Sequence, residues 1–360
     1  MRFILLLPVI LSLASCSPNK QNLPPASGQP GNIFLIMDSL QWRGPLGRTL
    51  DSLFNADMPG LPRKEAIFKM RWINPKKFNF VLKQTRNLVF VMSLDQNTQG
   101  SQIVKKLFTP ESIEKIKITP AQFVTTDVNI FAKGQEVMYL YGKDQATLLK
   151  NIRSGGTRLA DFFDQKERIR MTQSLFKAGQ VRGVSEVLNR DYKCDLKIPF
   201  GFKLAEKKSD FVWLRQINSR DDKDIFISRK PYTSQADFTK ENLIRFRDDI
   251  CRKYLFEDPE QPDTYLLTET HVPFIPVTAD TLNFNGNFAI RLRGIWRSNV
   301  FGMGGPFQGF ALVDEAAQQF YYIEGFTYSP GKDQREIMRE LETILYTFKT
   351  SGEIPINSLK

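Results

Sequence analysis

Histidine and cysteine are scarce in this chain: of 360 residues one is histidine, His271, and three are cysteine. A single imidazole excludes any metal site that needs two histidines, and it leaves a nucleophilic thiol or hydroxyl with only one histidine as base. Long apolar runs are also missing. The stretch from Phe3 to Leu13 falls well short of the roughly 20 apolar residues of a membrane helix, and no later run approaches that length. There is no Gly-x-Ser-x-Gly elbow. Gly302-Met303-Gly304-Gly305-Pro306 is not followed by the Lys-Ser or Lys-Thr of a phosphate loop, so it reads as a tight crossing or a mobile loop. Asp221-Asp222-Lys223-Asp224 lacks the glycine and the terminal glutamate of a calcium loop and reads as a charged turn. No motif calls for a cofactor or a metal. Ser-Lys and paired-carboxylate chemistry stay open, because those residues need not be close in sequence.

Arg2, the apolar run Phe3 to Leu13 and the small residues Ala14-Ser15 stand in the order of a secretory signal. The ending Leu13-Ala14-Ser15-Cys16 has the form of a bacterial lipobox, in which the thiol of Cys16 is acylated and the chain is cut just before it. Residues 1–15 are then a signal peptide. Several acyl chains on one residue give lasting attachment where one gives only marginal binding. Residues 16–31 hold Pro, Gly, Ser, Asn and Gln with no aromatic or β-branched side chain, the composition of a flexible tether. Ser17 stands where aspartate often retains lipoproteins at the inner membrane, and no acidic cluster follows Cys16. The expected location is the outer membrane, facing the periplasm, with the cell surface as the alternative.

The net charge of +11 favours anionic partners without naming one. In the periplasm these are an envelope protein or an anionic envelope component, with the membrane itself held through the N-terminal lipid; nucleic acid is not expected there. Cys194 and Cys251 admit either one disulfide closing a long loop or two separate buried thiols.

Strand and helix patterns alternate irregularly, which indicates an α+β fold of two lobes, each a mainly antiparallel sheet packed with helices. The first lobe spans 32–179, the second 180–350, with a tail at 351–360. Asn87 to Leu94 is a near-continuous apolar run and reads as a strand buried on both faces. Residues 144–177 are helical with a break at Gly155-Gly156. In the second lobe, hairpin signals precede a helix at 238–254, strands follow to Tyr328, and Ile337, Met338, Leu341, Ile344, Leu345 and Phe348 form a wide apolar stripe on a last helix. Gly142-Lys143-Asp144-Gln145 and Gly331-Lys332-Asp333-Gln334 each follow a strand and open a helix, which suggests either a repeat or ordinary helix-start chemistry.

Six stretches together resemble a family of Bacteroidota lipoproteins known only as a domain of unknown function. They are MDSLQWRGPLG (37–47), GLPRKEAIF (60–68), FNFVLKQTRNLVFV (78–91), KIPFGFKLAEKKSDFVWLR (197–215), GIWRSNVFGMGGPF (294–307) and YYIEGFTYSPGKDQREIMRELETILYTF (321–348). The resemblance implies lipidation at Cys16 and an envelope location, and carries no catalytic residue with it. The second lobe is also similar, in order of elements, to the PsbP and Mog1 group of accessory proteins, which implies a binding or assembly module.

Two basic features are candidate contacts. Arg63, Lys64, Lys69, Arg71, Lys76 and Lys77, followed by Lys83 and Arg86, face one acid, Glu65, and form a candidate membrane-facing patch. Arg291, Arg293 and Arg297 share one parity on a strand and are candidates for binding a phosphate or carboxylate, or else the wet side of a sheet. The reading is a lipid-anchored envelope protein used for binding or assembly, with an envelope hydrolase of lipid, peptide or glycan as the rival. Cys16→Ser is expected to move the protein out of the membrane fraction and leave the precursor uncut. An unchanged membrane fraction on immunoblot would sink the anchor.

Overall fold

The run Asn87–Ser93 is buried along its whole length, as a strand covered on both faces must be, and the first sheet is built around it. The computed structural model describes residues 23–218, 221–255, 263–273, 275–300 and 302–354; Cys16, the signal segment and 355–360 lie outside them. Among the described residues, one compact unit runs to Arg48 and resumes at Arg71–Ser154, while the other holds Thr49–Met70 and everything from Gly155 onward. This division differs from a single boundary near residue 179.

The first unit contains β1 (Asn32–Ile36), α1 (Ser39–Arg43), the start of α2 (Pro45–Phe54), most of β2 (Lys69–Ile73), α3 (Phe80–Lys83), β3 (Asn87–Ser93), α4 (Gln99–Lys105), α5 (Pro110–Ile118), β4 (Val124–Val128), β5 (Glu136–Gly142) and α6 (Gln145–Gly155). Its sheet has the order β2-β1-β3-β5-β4. β3 pairs in parallel with both β1 and β5, and only β4 is antiparallel to β5. Antiparallel pairing is therefore not the rule in this lobe. The α4–α5 crossover supplies the long connection a parallel pair needs. The expected tether is also shorter than 16–31. Ala26 N–H donates to Lys133 O, Ser27 N–H to Gln84 O and Arg86 N–H to Ser27 O, at 2.8, 2.8 and 3.0 Å, so the open backbone groups at Gln84–Arg86 and Lys133 take up Pro24–Ser27.

The second unit contains α7 (Thr157–Leu175), α8 (Arg182–Val187), β6 (Cys194–Asp195), β7 (Lys203–Lys207), β8 (Phe211–Ile217), β9 (Asp222–Pro231), α9 (Lys240–Tyr254), β10 (Leu266–Glu269), β11 (Thr278–Phe284), β12 (Asn287–Ser298), β13 (Gly304–Asp314), β14 (Gln319–Tyr328), α10 (Arg335–Leu345) and β15 (Lys349–Thr350). The large sheet runs β10-β12-β13-β14-β9-β8-β7, with β11 also on β12, and its recorded pairs are antiparallel. Both of its faces are covered. Alternation along β14 sends Tyr321 and Ile323 into the core shared with α10, and Phe320, Tyr322 and Phe326 into the core under α9. Gly325 lets α10 come close: a Cβ there would stand 2.9 Å from Leu341 Cβ.

Residues 49–70 join this unit through α10. The carboxylate of Glu65 accepts from Gln334 N–H at 2.7 Å and Arg335 N–H at 2.9 Å, capping a helix start with negative charge. Arg335 and Arg339 reach back to the carbonyls of Ala66 and Ile67. At α6, by contrast, Asp144 of the similar Gly-Lys-Asp-Gln sequence accepts from Thr147 N–H. The two helix starts are thus solved differently, one locally and one from a distance.

Cys194 and Cys251 are both buried and free, so the disulfide alternative is corrected. Cys194 belongs to the core on the α10 side of the sheet and Cys251 to the core on the α9 side. Burial pushes both thiols upward, Cys251 to about 12.

α9 is fixed to the sheet by charge. Arg247 and Glu324, both 0% exposed, form a fork with Nε–Oε2 and Nη2–Oε1 at 2.8 Å. Tyr322 donates to Glu324 at 2.6 Å, Arg247 donates to Thr268 at 3.1 Å, and the guanidinium stacks on Phe307 at 3.9 Å. Removing one partner strands a buried charge, so Glu324→Ala is expected to cost about 3–5 kcal/mol in urea unfolding, and Glu324→Gln less. Equal, small effects in the two variants would refute this role.

Candidate functional site

Strand parity gathers a mixed polar and aromatic set at one end of the large sheet, on its α9 side. Trp213 and Arg215 alternate with the core residues Val212 and Leu214 on β8, and Asp222 and Asp224 share the parity of Phe226 on β9. In the cross-strand register Phe326 lies opposite Asp224, and Asp224 opposite Arg215. Trp296, Met303 and Tyr328 complete a hollow of about 120 Å³, space for a single side chain or a comparably small group.

Trp296 is held by an Nε1–H bond to Thr327 O at 3.2 Å. Gly305 makes room for this: a Cβ there would fall 2.1 Å from Thr327 O. Of the two readings of the glycine-rich stretch, the tight crossing holds from Gly304 onward, since Gly304 and Gly305 open β13.

The chemistry centres on Asp224, 2% exposed. Its Oδ1 accepts from Trp213 Nε1 at 2.9 Å and from Arg215 Nε at 2.8 Å. Arg215 also lies 3.7 Å from Asp222 and stacks on the Trp213 ring at 4.7 Å. Burial pushes the Asp224 carboxyl up to about 7, against the opposing pull of Arg215 and the Trp213 N–H. A raised carboxyl inside an aromatic-walled hollow makes this the candidate site for binding or proton transfer. The charged-turn reading of Asp221–Asp224 is corrected for Asp222 and Asp224, which belong to β9. Their shared parity with Phe226 shows the strand face they take, but not their burial.

Arg291 lies 3.7 Å from Asp280 and 3.6 Å from Glu342, Arg293 is 2.8 Å from Asp280, and Arg297 is 3.0 Å from Glu269. Each of the three is ion-paired within the protein, while Arg291 Nε and Arg293 Nε are buried without a hydrogen-bond partner. Arg63, Lys64 and Lys69 belong to the second unit, Arg71, Lys76 and Lys77 to the first, and all six are exposed. At the carboxyl ends of the parallel strands, where α/β sheets usually bind ligands, Asp38 accepts from Leu40 N–H and the Thr98 hydroxyl, and Asp95 from Gln145 N–H. A wider hollow of about 750 Å³ beside Phe238 and Phe288 is edged by Asp314 and Glu353. Both carboxylates there are engaged by Ser351, Thr350 and Asn287.

Between about 3.9, the unfolded aspartate value, and about 7, the folded chain keeps a proton that the unfolded chain has released. Stability therefore falls as pH rises across this window, by up to about 1.4 kcal/mol per unit, and levels off above it. Asp224→Asn cannot ionise and is expected to flatten that limb in urea unfolding followed from pH 4 to 8. An unchanged slope would assign it to another group.

No curated protein matches the chain. Among solved structures, the Ran-binding protein Mog1p of Saccharomyces cerevisiae matches at TM-score 0.30 and 8% identity, over 44% of this chain and 90% of that one. A mutant of Mog1 matches at 0.30 and 8%, over 47% and 94%. A STAR-related lipid transfer protein fragment from Xanthomonas axonopodis matches at 0.21 and 16%, over 41% and 94%. Likenesses this faint leave function open. Two family models, one to each part, take the place of the single family expected: residues 26–176 match the domain of unknown function DUF8532, and residues 182–347 match the domain of unknown function DUF4837.

Proposed function

We propose that this is a lipid-anchored protein of the bacterial envelope whose second unit binds a partner protein by taking one of its side chains into the Trp213–Trp296 hollow. The observation that carries the reading is Asp224, a buried carboxyl with a raised pKa beneath aromatic walls. Interfaces draw most of their energy from a few aromatic or arginine anchors seated in pockets of this kind. The hollow offers an inserted side chain apolar walls, the guanidinium of Arg215 and a carboxyl that donates or accepts according to pH. The anchor is supported by the order of charge, apolar run, small residues and Cys16, and the site at the outer membrane by Ser17.

A hydrolase of lipid, peptide or glycan is the second reading, favoured by the same carboxyl: a group titrating near neutrality is matched to proton transfer. A photoreactive phenylalanine in place of Tyr328 in the natively anchored protein, followed by irradiation of cells and mass spectrometry, separates the two. The expected result is one reproducible protein adduct that falls at least about tenfold with Arg215→Ala, as a hot-spot truncation requires. Adducts indifferent to Arg215, or none, would overturn the binding reading and leave the hydrolase in front.

A further inference from the structure

Two apolar side chains of the first unit stand where a soluble surface gains nothing from them. Phe80 and Val81, on α3, are 72% and 70% exposed, although Phe78 two residues earlier packs against the core. The turn before the helix carries Lys76 and Lys77, both exposed, and from residue 66 to residue 94 there is no acidic residue at all. The third observation is where the N-terminal segment runs. Ser27 N–H bonds to the carbonyl of Gln84, the residue that closes α3, and Ala26 bonds to Lys133, which is itself exposed. Residues 24–27 therefore run past Lys133 and the C-terminal end of α3, the helix that carries Phe80 and Val81. Pro24 stands eight positions after Cys16, a reach of roughly 28 Å at full extension.

We infer that α3 and the turn before it are a membrane seat: Phe80 and Val81 enter the boundary between headgroups and acyl chains of an anionic leaflet, and Lys76, Lys77 and Lys133 face its headgroups. The inference rests on the lipid anchor at Cys16. The short lead holds the patch close to the leaflet, so even weak seating is populated through a high effective concentration. Each lysine near an anionic surface multiplies occupancy roughly fivefold, and each apolar side chain adds its own transfer from water. The anchor alone would let the body turn freely; the seat gives it one orientation.

The test uses the natively lipidated full chain carrying Val81→Cys labelled with the environment-sensitive fluorophore NBD, since Cys194 and Cys251 are buried. In vesicles of phosphatidylglycerol and phosphatidylcholine the emission is expected to shift to the blue and to be quenched by spin-labelled lipid. Lys76→Glu with Lys77→Glu should lower seating by an order of magnitude or more, and vesicles of phosphatidylcholine alone should weaken it. Water-like emission from a chain whose intact mass carries its acyl groups would overturn the seat and leave the anchor standing. A mass without acyl groups would sink the anchor, and the seat with it. A blue shift that appears in detergent and grows with protein concentration would assign the patch to a second copy of the chain instead.

Discussion

A sheet with both faces covered has no wet side on which to leave charge, yet the middle of β14 carries a glutamate. The second unit resolves this with Arg247. One guanidinium, supplied by α9, meets the Glu324 carboxylate through a fork, while Tyr322 and Thr268 occupy most of the remaining polar positions. The pair fixes the rotation of α9 about its own axis, because a turn of the helix that moved Arg247 would strand Glu324 in an apolar core. Phe246 is then set against Phe320 and Tyr322, and Cys251 and Leu243 fall into the same core. On the other side, Gly325 admits Leu341 without competing for space. Adjacent residues of one strand thus decide how a helix docks on each face.

How far such an arrangement can be read from sequence depends on whether its cause is local. Period-two and period-3.6 patterns are local, and β3, β14, α9 and α10 are legible from them. The break between α6 and α7 follows from Gly155-Gly156. β11 is not legible: Thr278-Ala279-Asp280-Thr281 has no apolar alternation and becomes a strand because β12 offers its edge. The parallel pairing of the first sheet is equally hidden, since apolarity does not distinguish a strand between parallel neighbours from one between antiparallel ones. Asp224 could be seen as an acid but not as a buried one. Its cross-strand neighbours Arg215 and Phe326 are supplied by register, which no short window contains.

The Asp224 hollow and the α3 surface differ in chemistry. The hollow is small, and its carboxyl Asp224 is buried and raised to about 7, the kind of place that discriminates by shape and by hydrogen bonding. The α3 surface is open and basic, offers no shaped recess, and suits a fluid, anionic surface. The two proposals thus assign binding and placement to different parts of one chain, so that a change in either can be read separately.

The carboxylate of Glu65 lies 269 residues before the backbone it caps. The two family segments are therefore not cassettes, because the first donates Glu65, the carbonyls of Ala66 and Ile67, and α7 to the compact unit that the second mainly builds. Domains usually fold in the order in which they are made, but the contacts of Glu65, Ala66 and Ile67 with α10 can close only once Gln334, Arg335 and Arg339 exist. Residues 49–70 pair locally through Met58–Glu65, Ile67–Ala56 and Phe68–Phe54, but the carboxylate of Glu65 meets its backbone partners only after most of the protein is synthesised. A chain cut short before the final helix therefore lacks more than its own last turn: Glu65 loses the backbone it caps, and Ala66 and Ile67 lose the guanidinium groups that reach their carbonyls.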